Sequence, residues 1–527
     1  MEPSPHSAAE SGPEAIRKNF VAVAAATDCP APGDGSRLPA VNLSQPISAL
    51  ARTVGMIMHG APIFRFGEGI STVSEEGRIA PMSAERFTSW VENYLSFTRP
   101  TKDAPSVESI GKDLAGKILA ADQFQDQLRV LKAVSEVRLP VWNGAGDSLT
   151  VDLAPEGFHP DSGRFTVNSI PYEEDMNPDD AWAFLWESLK EFPFDPEGEE
   201  TIKHRRSFAA QIATMIGVFC HSLFPEGTAR PMVIHLANQA GSGKSLLLRM
   251  ALGPVFGPPQ DHGKPESEAD IEKLLDMTAS ARSPYLVLDD CKSLHSHALN
   301  RFITSPKHAW RVMYSQREAA IGKVTQLFAS GNGLTVSEDL ERRSLIVDLF
   351  CADDATSRKF SREITLGWLF SVDTRARFLA ALWALVRVWR EAGMPRIKEH
   401  RRGSFEEWSG LVGGVVTACG MANPLQPRQS DSGGDEQTRT LIHVLAAIVG
   451  EAERDQEPVL HTGDILDRAE VMGLLDAIVG FTKDSKKALG WRLKKLKGRH
   501  LIDSQRRRFE FGRRVMETGS NYPIRFL

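Results

Sequence analysis

Short apolar runs, each stopping at a polar or glycine-rich segment, dominate the middle of the chain. Residues 231–237 (PMVIHLA), 285–288 (YLVL) and 326–330 (QLFAS) are such runs, and apolar residues at helical spacing separate them. Continuous apolar runs of this length are typical of strands that are buried on both faces. The alternation of strands and helices predicts a parallel sheet with crossover helices, which is an α/β core.

Before this core, short strands and helices joined by Gly, Asp and Pro turns predict a small α+β domain. Its longest helical patterns cover residues 83–97 and 106–120, and residues 61–66 and 70–73 are predicted to pair as a hairpin. The first 45 residues are rich in Pro, Ala, Ser and Gly. They predict a disordered tail, because such a composition buries little apolar surface.

After the core the pattern is mainly helical. Ser404 and Glu407 have the spacing of a capping box that begins a helix. Three helical patterns between residues 438 and 496, followed by a basic hairpin at 501–511, are in the order of a winged helix. The predicted domains are the tail (1–45), the α+β domain (46–195), the α/β core (196–365), a helical lid segment (366–425), a linker (426–437) and the winged helix (438–527).

Composition and charge narrow the class of protein. The five cysteines are scattered without a Cys-x-x-Cys pair, so we expect neither a zinc site nor a disulfide framework, and a cytoplasmic location. The chain has no run of eighteen apolar residues and no secretory signal pattern, so we expect no membrane partner. The net charge is −6, yet residues 483–514 carry thirteen Lys and Arg against three acids. Such a basic block is the electrostatic footprint of a polyanion.

A glycine-rich loop follows the first apolar run. Backbone N–H groups of such a loop point at nucleotide phosphates, with Lys244 reaching the β and γ oxygens and the Ser245 hydroxyl ligating Mg²⁺. The usual first glycine is replaced by Asn238, a residue type that tolerates left-handed backbone angles. A surface turn is the alternative. The predicted ATP-binding residues are Asn238, Ala240, Gly241, Ser242, Gly243, Lys244, Ser245 and Leu246.

Two carboxylates, Asp289 and Asp290, follow the second apolar run. We expect this strand to lie beside the strand that precedes the glycine loop, which places Asp289 near the Mg²⁺ with Ser245. Asp290 is then positioned to orient the attacking water. The alternative is a buried strand that ends at a solvated acidic turn. The position of Asp289, 45 residues after Lys244, favours the catalytic interpretation.

Polar residues also follow the third run. Asn332 stands where ring-forming NTPases have an Asn that contacts the γ-phosphate or the water, and a turn Asn is the alternative. Arg342 and Arg343 precede the next apolar run. An arginine finger there, Arg343 before Arg342, would stabilise charge on the γ-phosphate of the neighbouring subunit. Surface arginines paired with the nearby acids are the alternative.

Two groups of basic residues are candidates for DNA contact. Arg317 and Lys323 lie in a predicted hairpin with its tip at 315–322, suited to the channel of a ring, and a solvated hairpin is an equal alternative. The C-terminal group is suited to phosphate contacts, with a solvated charged face as the alternative. It comprises Lys486, Lys487, Arg492, Lys494, Lys495 and Lys497 on or near the predicted recognition helix, and Arg506, Arg507 and Arg508 in the wing.

The segments 241–245 (GSGKS), 285–290 (YLVLDD) and 328–344 (FASGNGLTVSEDLERRS) together carry a family likeness. They resemble the ATPase module of replicative helicases in primase–helicase proteins of phages, plasmids and genomic islands, close to superfamily 3 and the AAA+ class. The likeness covers about residues 46–425 and is most specific in the ATPase core. It implies a P-loop NTPase core that assembles as a ring, a homo-hexamer, with ATP at the subunit interfaces.

The resemblance assigns roles only to matching residues, and two positions depart from it. Asn238 replaces the first loop glycine, and Asp290 stands where many AAA+ enzymes have Glu. Larger relatives carry an N-terminal primase, for which residues 1–45 offer no room, so a separate primase is a candidate partner. The implied roles are phosphate and Mg²⁺ contacts for Lys244 and Ser245, Mg²⁺ for Asp289, a sensor for Asn332 and a finger for Arg343.

These expectations combine into an ATP-dependent DNA helicase or translocase that acts in replication of a mobile genetic element. Single-stranded DNA is expected in the channel and duplex DNA at the C-terminal domain. The alternative is a nucleotide-gated DNA-binding initiator or regulator that binds ATP and DNA without unwinding, which Asp290 in place of Glu favours. A metabolic kinase with the same loop is a third alternative, against which the paired arginines and the basic block argue.

Overall fold

The computed structural model describes the chain from residue 38 to residue 526, and short internal segments lie outside the described residues. The chain divides into two compact units, Met1–Pro171 and Tyr172–Leu527, and its class is mixed α/β. The residues outside the description are 1–37, 68, 103, 197, 198, 200, 263, 264, 266, 312–317, 333, 352–354, 356, 357, 359, 362, 400–402, 428–435, 453–457, 480–483, 497–499, 503–507, 513–520 and 527.

The first unit packs small sheets against helices around a core that includes Phe87, Phe97 and Phe124. The predicted hairpin is present, because β2 and β3 pair antiparallel. The helices are α1 (Ile47–Met58), α2 (Ala84–Trp90), α3 (Lys112–Ala120) and α4 (Asp122–Gln125). The strands are β1 (Ala40–Asn42), β2 (Ile63–Phe66), β3 (Gly69–Val73), β4 (Ile79–Pro81), β5 (Ser96–Arg99), β6 (Ser106–Glu108), β7 (Val130–Leu131), β8 (Ala133–Ser135), β9 (Pro140–Asn143), β10 (Thr150–Leu153), β11 (Gly157–His159) and β12 (Arg164–Thr166).

Two predicted helices of this unit are shorter than the sequence pattern suggested. The helix expected at 83–97 ends at Trp90, and the helix expected at 106–120 begins only at Lys112. Parts of the remaining residues lie in β5 and β6, which pair antiparallel with Phe97 opposite Glu108. Pairing of these two neighbouring strands therefore overrides local helical periodicity here.

The second unit begins with an α/β core whose central sheet has five parallel strands in the order β14-β15-β19-β13-β21. Its helices are α5 (Pro178–Leu189), α6 (Arg206–Phe219), α7 (Lys244–Phe256), α8 (Glu268–Ser280), α9 (His297–Thr304) and α10 (Glu338–Arg342). Its strands are β13 (Met232–Ala237), β14 (Asp261–His262), β15 (Tyr285–Leu288), β16 (Ser293–Leu294), β17 (Lys307–Arg311), β18 (Glu318–Gly322), β19 (Gln326–Asn332), β20 (Thr335–Val336) and β21 (Ser344–Leu349).

The apolar runs of the sequence are the inner strands of this sheet. Every residue of β13 and of β21 is buried, because helices cover both faces. The predicted strand order was wrong in one respect, since β15 does not lie beside β13. Instead β19 lies between them and pairs with both.

A buried ion pair joins a helix to this sheet. Arg206, at the start of α6, donates to the Asp348 carboxylate on β21, and both side chains are only 1% exposed. The same guanidinium donates to the Ile346 carbonyl at 2.8 Å. Satisfied in this way, the pair fixes the N-terminus of α6 against the edge of the sheet.

Helices and one antiparallel sheet complete the second unit. The capping box predicted at Ser404 is absent, because Phe405 flanks the helix and Glu407 pairs with Arg396. The helices are α11 (Leu366–Leu369), α12 (Val372–Glu391), α13 (Glu406–Ala418), α14 (Glu436–Glu451), α15 (Thr462–Val471), α16 (Leu475–Val479) and α17 (Ser485–Leu496). The strands β22 (Val459–His461), β23 (His500–Ile502), β24 (Arg508–Phe511) and β25 (Asn521–Phe526) form a sheet in the order β22-β25-β24-β23. Among the described residues, no helix combines the length and apolar character needed to cross a membrane.

Candidate functional site

The glycine loop connects the carboxyl end of β13 to the N-terminus of α7. Gly241 and Gly243 have φ angles of 75° and 92°, a region that favours glycine. A Cβ atom at Gly243 would lie 2.7 Å from Cε1 of Phe192, so a side chain there has no room. The loop therefore needs glycine for both its backbone angles and its packing.

Lys244 is folded into this loop. Its side chain is largely buried, at 6% exposure, and Nζ donates to the Gln239 carbonyl at 3.1 Å. The Ser242 hydroxyl donates to the same carbonyl at 2.7 Å. The Lys244 ammonium group therefore lies inside the glycine loop, where the phosphates of the nucleotide are predicted to bind.

Asn238 does not use the backbone conformation that its residue type tolerates. It does not adopt a positive φ, so its tolerance of left-handed angles is not used. Its amide instead forms two hydrogen bonds with the backbone of Cys351, shortly after β21 ends. Gln239 supports the same connection by donating to the Cys351 carbonyl at 3.2 Å.

Asp289 is the centre of a cluster of polar groups at the carboxyl edge of the sheet. Its Oδ1 accepts a hydrogen bond from Ser245 Oγ at 3.2 Å and from the Asp290 N–H at 2.9 Å. Ser330, on β19, donates its hydroxyl to the same oxygen. The sequence pattern does not identify Ser330, because only the register of β19 beside β15 brings it to the carboxylate.

The cluster has suitable chemistry for a magnesium ion. Mg²⁺ in nucleotide sites is held by one or two protein oxygens and keeps several waters. Ser245 and Asp289 supply a hydroxyl and a carboxylate oxygen within hydrogen-bond distance of each other. Asp290 has an exposed side chain and a φ of 54°, which is rare for a non-glycine residue.

The end of β19 lies close to the glycine loop. The backbone of Asn332 is in register with Ala237, the last residue of β13, and its side chain is outside the described part of the structure. A Cβ atom at Gly331 would lie 1.9 Å from the Cys291 carbonyl oxygen. Glycine at this position therefore allows the segment after Asp290 to contact the strand.

The two candidate finger arginines differ in their contacts. Arg343 donates to the Asn300 carbonyl and the Thr304 hydroxyl, both at 3.3 Å, at the C-terminus of α9. Both arginines also pair with Asp339, as the alternative expected. The Arg342 side chain remains 76% exposed, whereas that of Arg343 is 26% exposed.

A buried histidine on β13 was not anticipated. His235 is fully buried, and its Nε2 lies 2.9 Å from Gln211 Oε1, while Gln211 Nε2 donates to the Leu247 carbonyl of α7. Its Nδ1 has no hydrogen-bond partner among the described residues. Burial lowers the pKa of His235 to about 3, the charge of Lys244 also lowers it, and Asp289 opposes the shift.

The predicted channel hairpin is present as β17 and β18, but Glu318–Gly322 is its second strand and not its tip. Arg317 lies outside the described residues. Lys323 is only 3% exposed, and its Nζ donates to the carbonyls of Phe302 and Ile303. The prediction that Lys323 contacts DNA is therefore wrong for this arrangement, because the protein itself holds the ammonium.

Part of the C-terminal basic group lies on α17, which ends at Leu496, where the last of the three predicted helical patterns ends. Lys486, Lys487 and Lys494 are exposed, and Arg492 is half-buried and donates to Gln437. The candidates whose side chains fall outside the described part are Lys495, Lys497, Arg506, Arg507 and Arg508.

Comparison with known proteins adds little to this geometry. No protein-family model and no curated protein matches the chain. One A-form apo structure of the NrS-1 C-terminal region covers 88% of this chain and 95% of its own, at 12% identity and a TM-score of 0.33. A second structure of that region covers 80% and 91%, at 12% identity and a TM-score of 0.29. Similarity this weak carries no argument about the site.

Proposed function

We propose that this protein is an ATPase that couples nucleotide hydrolysis to movement along DNA, as a helicase or translocase. One observation carries the proposal. Ser245 Oγ, at the start of α7, lies 3.2 Å from Asp289 Oδ1, after β15, although the two residues are 44 positions apart in the sequence. A hydroxyl and a carboxylate beside a glycine loop are the ligand set with which P-loop proteins hold Mg²⁺ and triphosphate.

The chain's own residues then have distinct roles. The loop and the N-terminus of α7 offer backbone N–H groups to the phosphates, and Lys244 adds a positive charge. Magnesium, when bound at Ser245 and Asp289, neutralises phosphate charge. Asp290 is the candidate that orients water, because its carboxylate is exposed at the edge of the sheet.

The arginine finger is assigned to Arg342, in preference to Arg343. A finger must extend from its own chain to a neighbouring nucleotide. Arg342 pairs with Asp339 but is 76% exposed, whereas Arg343 would also have to leave the carbonyl and hydroxyl groups at the end of α9. This assignment presumes a ring in which a neighbouring subunit carries the nucleotide.

DNA is the proposed polyanion at the basic helix α17, and a winged helix is the proposed form of α14 to β25. The support is the exposed lysines on α17 together with the excess of basic residues between 483 and 514. Replication of a mobile element is the proposed context, and it rests on the sequence resemblance alone.

ATP hydrolysis with and without single-stranded DNA, together with displacement of a labelled strand from a forked duplex, tests the proposal. We expect hydrolysis that single strands stimulate and that Lys244→Ala abolishes. Displacement of the strand would establish a helicase. Unchanged hydrolysis in Lys244→Ala would overturn the nucleotide site.

A nucleotide-gated DNA-binding initiator is the second candidate. The observation that favours it is Asp290, whose carboxylate is one methylene shorter than the Glu of the resembled enzymes. Binding of ATP and DNA without strand displacement would support this candidate. An increase of hydrolysis in Asp290→Glu would then show that the short side chain limits turnover.

A further inference from the structure

We propose that Trp491 is a stacking platform for an unpaired DNA base on the outward face of α17. The inference rests on the proposed DNA-binding role of this helix and specifies the form of DNA that it takes. Helix α17 buries Leu489, Leu493 and Leu496 at 0% exposure in the core of the C-terminal helices. Trp491 projects from the opposite side and is 61% exposed.

The neighbours of this indole are basic. Lys487 precedes Trp491 by one helical turn, Lys494 follows it by nearly one turn, and both are exposed. Residues at such spacing share a helix face. The acid at the N-terminal end of this face is Asp484, whose carboxylate is engaged in capping through the Lys487 N–H at 3.0 Å. The face therefore combines a large aromatic surface with positive charge on either side.

This combination fits a single strand better than a duplex. In a duplex the faces of the bases are covered by stacking, and the grooves offer hydrogen-bonding edges that an indole, with one N–H donor, reads poorly. An unpaired base offers a free π-face, and flanking lysines meet the phosphates on either side. A polyanion without bases would use the lysines but would gain nothing from an exposed tryptophan.

The test uses the full chain and fluorescence anisotropy with three DNA probes of equal length: a single strand, a duplex and an abasic single strand. We expect Trp491→Leu to weaken single-strand binding by roughly 5- to 150-fold, with no change on the abasic probe. The salt dependence should also stay unchanged, since stacking releases no counterions. Trp491→Phe, the matched control, keeps a ring and should retain most of the affinity.

A variant that removes one charge separates the contribution of the lysines from that of base stacking. Lys487→Gln should reduce the slope of log affinity against log salt by about 0.7 on single strands. Photocrosslinking of a single strand that carries 5-iodouracil should give an adduct at Trp491, which distinguishes α17 from any other site that binds single strands.

The outcomes separate this inference from the proposed function. Failure of the native chain to bind any DNA would overturn both. Single-strand binding that Trp491→Leu leaves unchanged, with no adduct at Trp491, would overturn the stacking role alone. An equal loss on the abasic probe, a loss confined to the duplex, or a changed oligomeric state in sedimentation would each assign the indole to another role and overturn the inference.

Discussion

Asn238 and Cys351 exchange two hydrogen bonds across the carboxyl edge of the parallel sheet. Asn238 Nδ2 donates to the Cys351 carbonyl at 2.8 Å, and the Cys351 N–H donates to Asn238 Oδ1 at 2.9 Å. Both residues are buried. The amide therefore fastens the start of the glycine loop to the segment after β21, which a glycine at this position cannot do.

Asn238→Gly restores the usual pattern of a phosphate-binding loop, yet we expect it to be harmful. Among the described residues, loss of the amide leaves the buried Cys351 N–H without its partner, at about 1–3 kcal/mol, and leaves the Cys351 carbonyl with the Gln239 hydrogen bond alone. We expect a lower free energy of unfolding and weaker ATP binding, measured by urea unfolding and by nucleotide titration. Asn93→Gly, at an exposed position, controls for backbone flexibility. If Asn238→Gly matched the native chain in ATP affinity and in stability, the proposed role of the Asn238 amide would be contradicted.

The apolar runs predicted β13, β15 and β19, because a strand covered on both faces must be apolar throughout. The order of those strands could not be predicted in the same way. The local pattern of apolar residues does not encode which strands are neighbours. The position of β19 between β15 and β13 was therefore not predicted.

The candidate site was predictable where it follows a contiguous motif. Lys244, Ser245 and Asp289 follow strand ends and meet at the sheet edge. The contact of Ser330 with Asp289 was missed because it depends on strand register, and that of His235 because it depends on Gln211 of α6. Lys323 was misplaced because a lysine gives no local sign that the fold will bury it.

Substitutions of Arg342 and Arg343 are expected to have different effects. Arg343→Ala should lower thermal stability, because the end of α9 loses its guanidinium contacts. Arg342→Ala should leave the melting temperature nearly unchanged, as is usual for exposed pairs. It should reduce hydrolysis by about 10³-fold or more if it is the finger. The measurements are thermal denaturation and steady-state ATP hydrolysis.

Mixed assemblies show whether Arg342 acts on a neighbour. Arg342→Ala subunits mixed with Lys244→Ala subunits should recover part of the hydrolysis, because some interfaces then combine an intact loop with an intact arginine. Full activity of Arg342→Ala by itself would return the finger to Arg343 or remove it altogether.

The buried pair of Arg206 and Asp348 predicts strongly coupled effects on stability. We expect Arg206→Ala to lower the free energy of unfolding by about 3–5 kcal/mol, because the Asp348 carboxylate is left buried and uncompensated. The double variant Arg206→Met with Asp348→Leu should cost less than Arg206→Ala alone, since it removes both charges. Urea unfolding of the single and double variants measures the coupling. Strictly additive losses would show that the two charges do not depend on each other.

The buried His235, on the strand that precedes the glycine loop, predicts that the folded chain loses stability in acid. Its pKa is about 3 in the folded chain against an ordinary value of 6.5, so the folded state holds the neutral ring and the unfolded state takes up a proton first. Its contribution to stability is present above pH 6.5 and is lost as the pH falls towards 3.

One pKa unit corresponds to about 1.36 kcal/mol. We therefore expect His235 to account for about 2 kcal/mol of the decrease in the free energy of unfolding between pH 7.5 and pH 5. Urea unfolding at both pH values measures it, and His235→Gln, which cannot take up the proton, should lose that much less than the native chain. A parallel decline in the two proteins would mean that other groups cause the acid sensitivity.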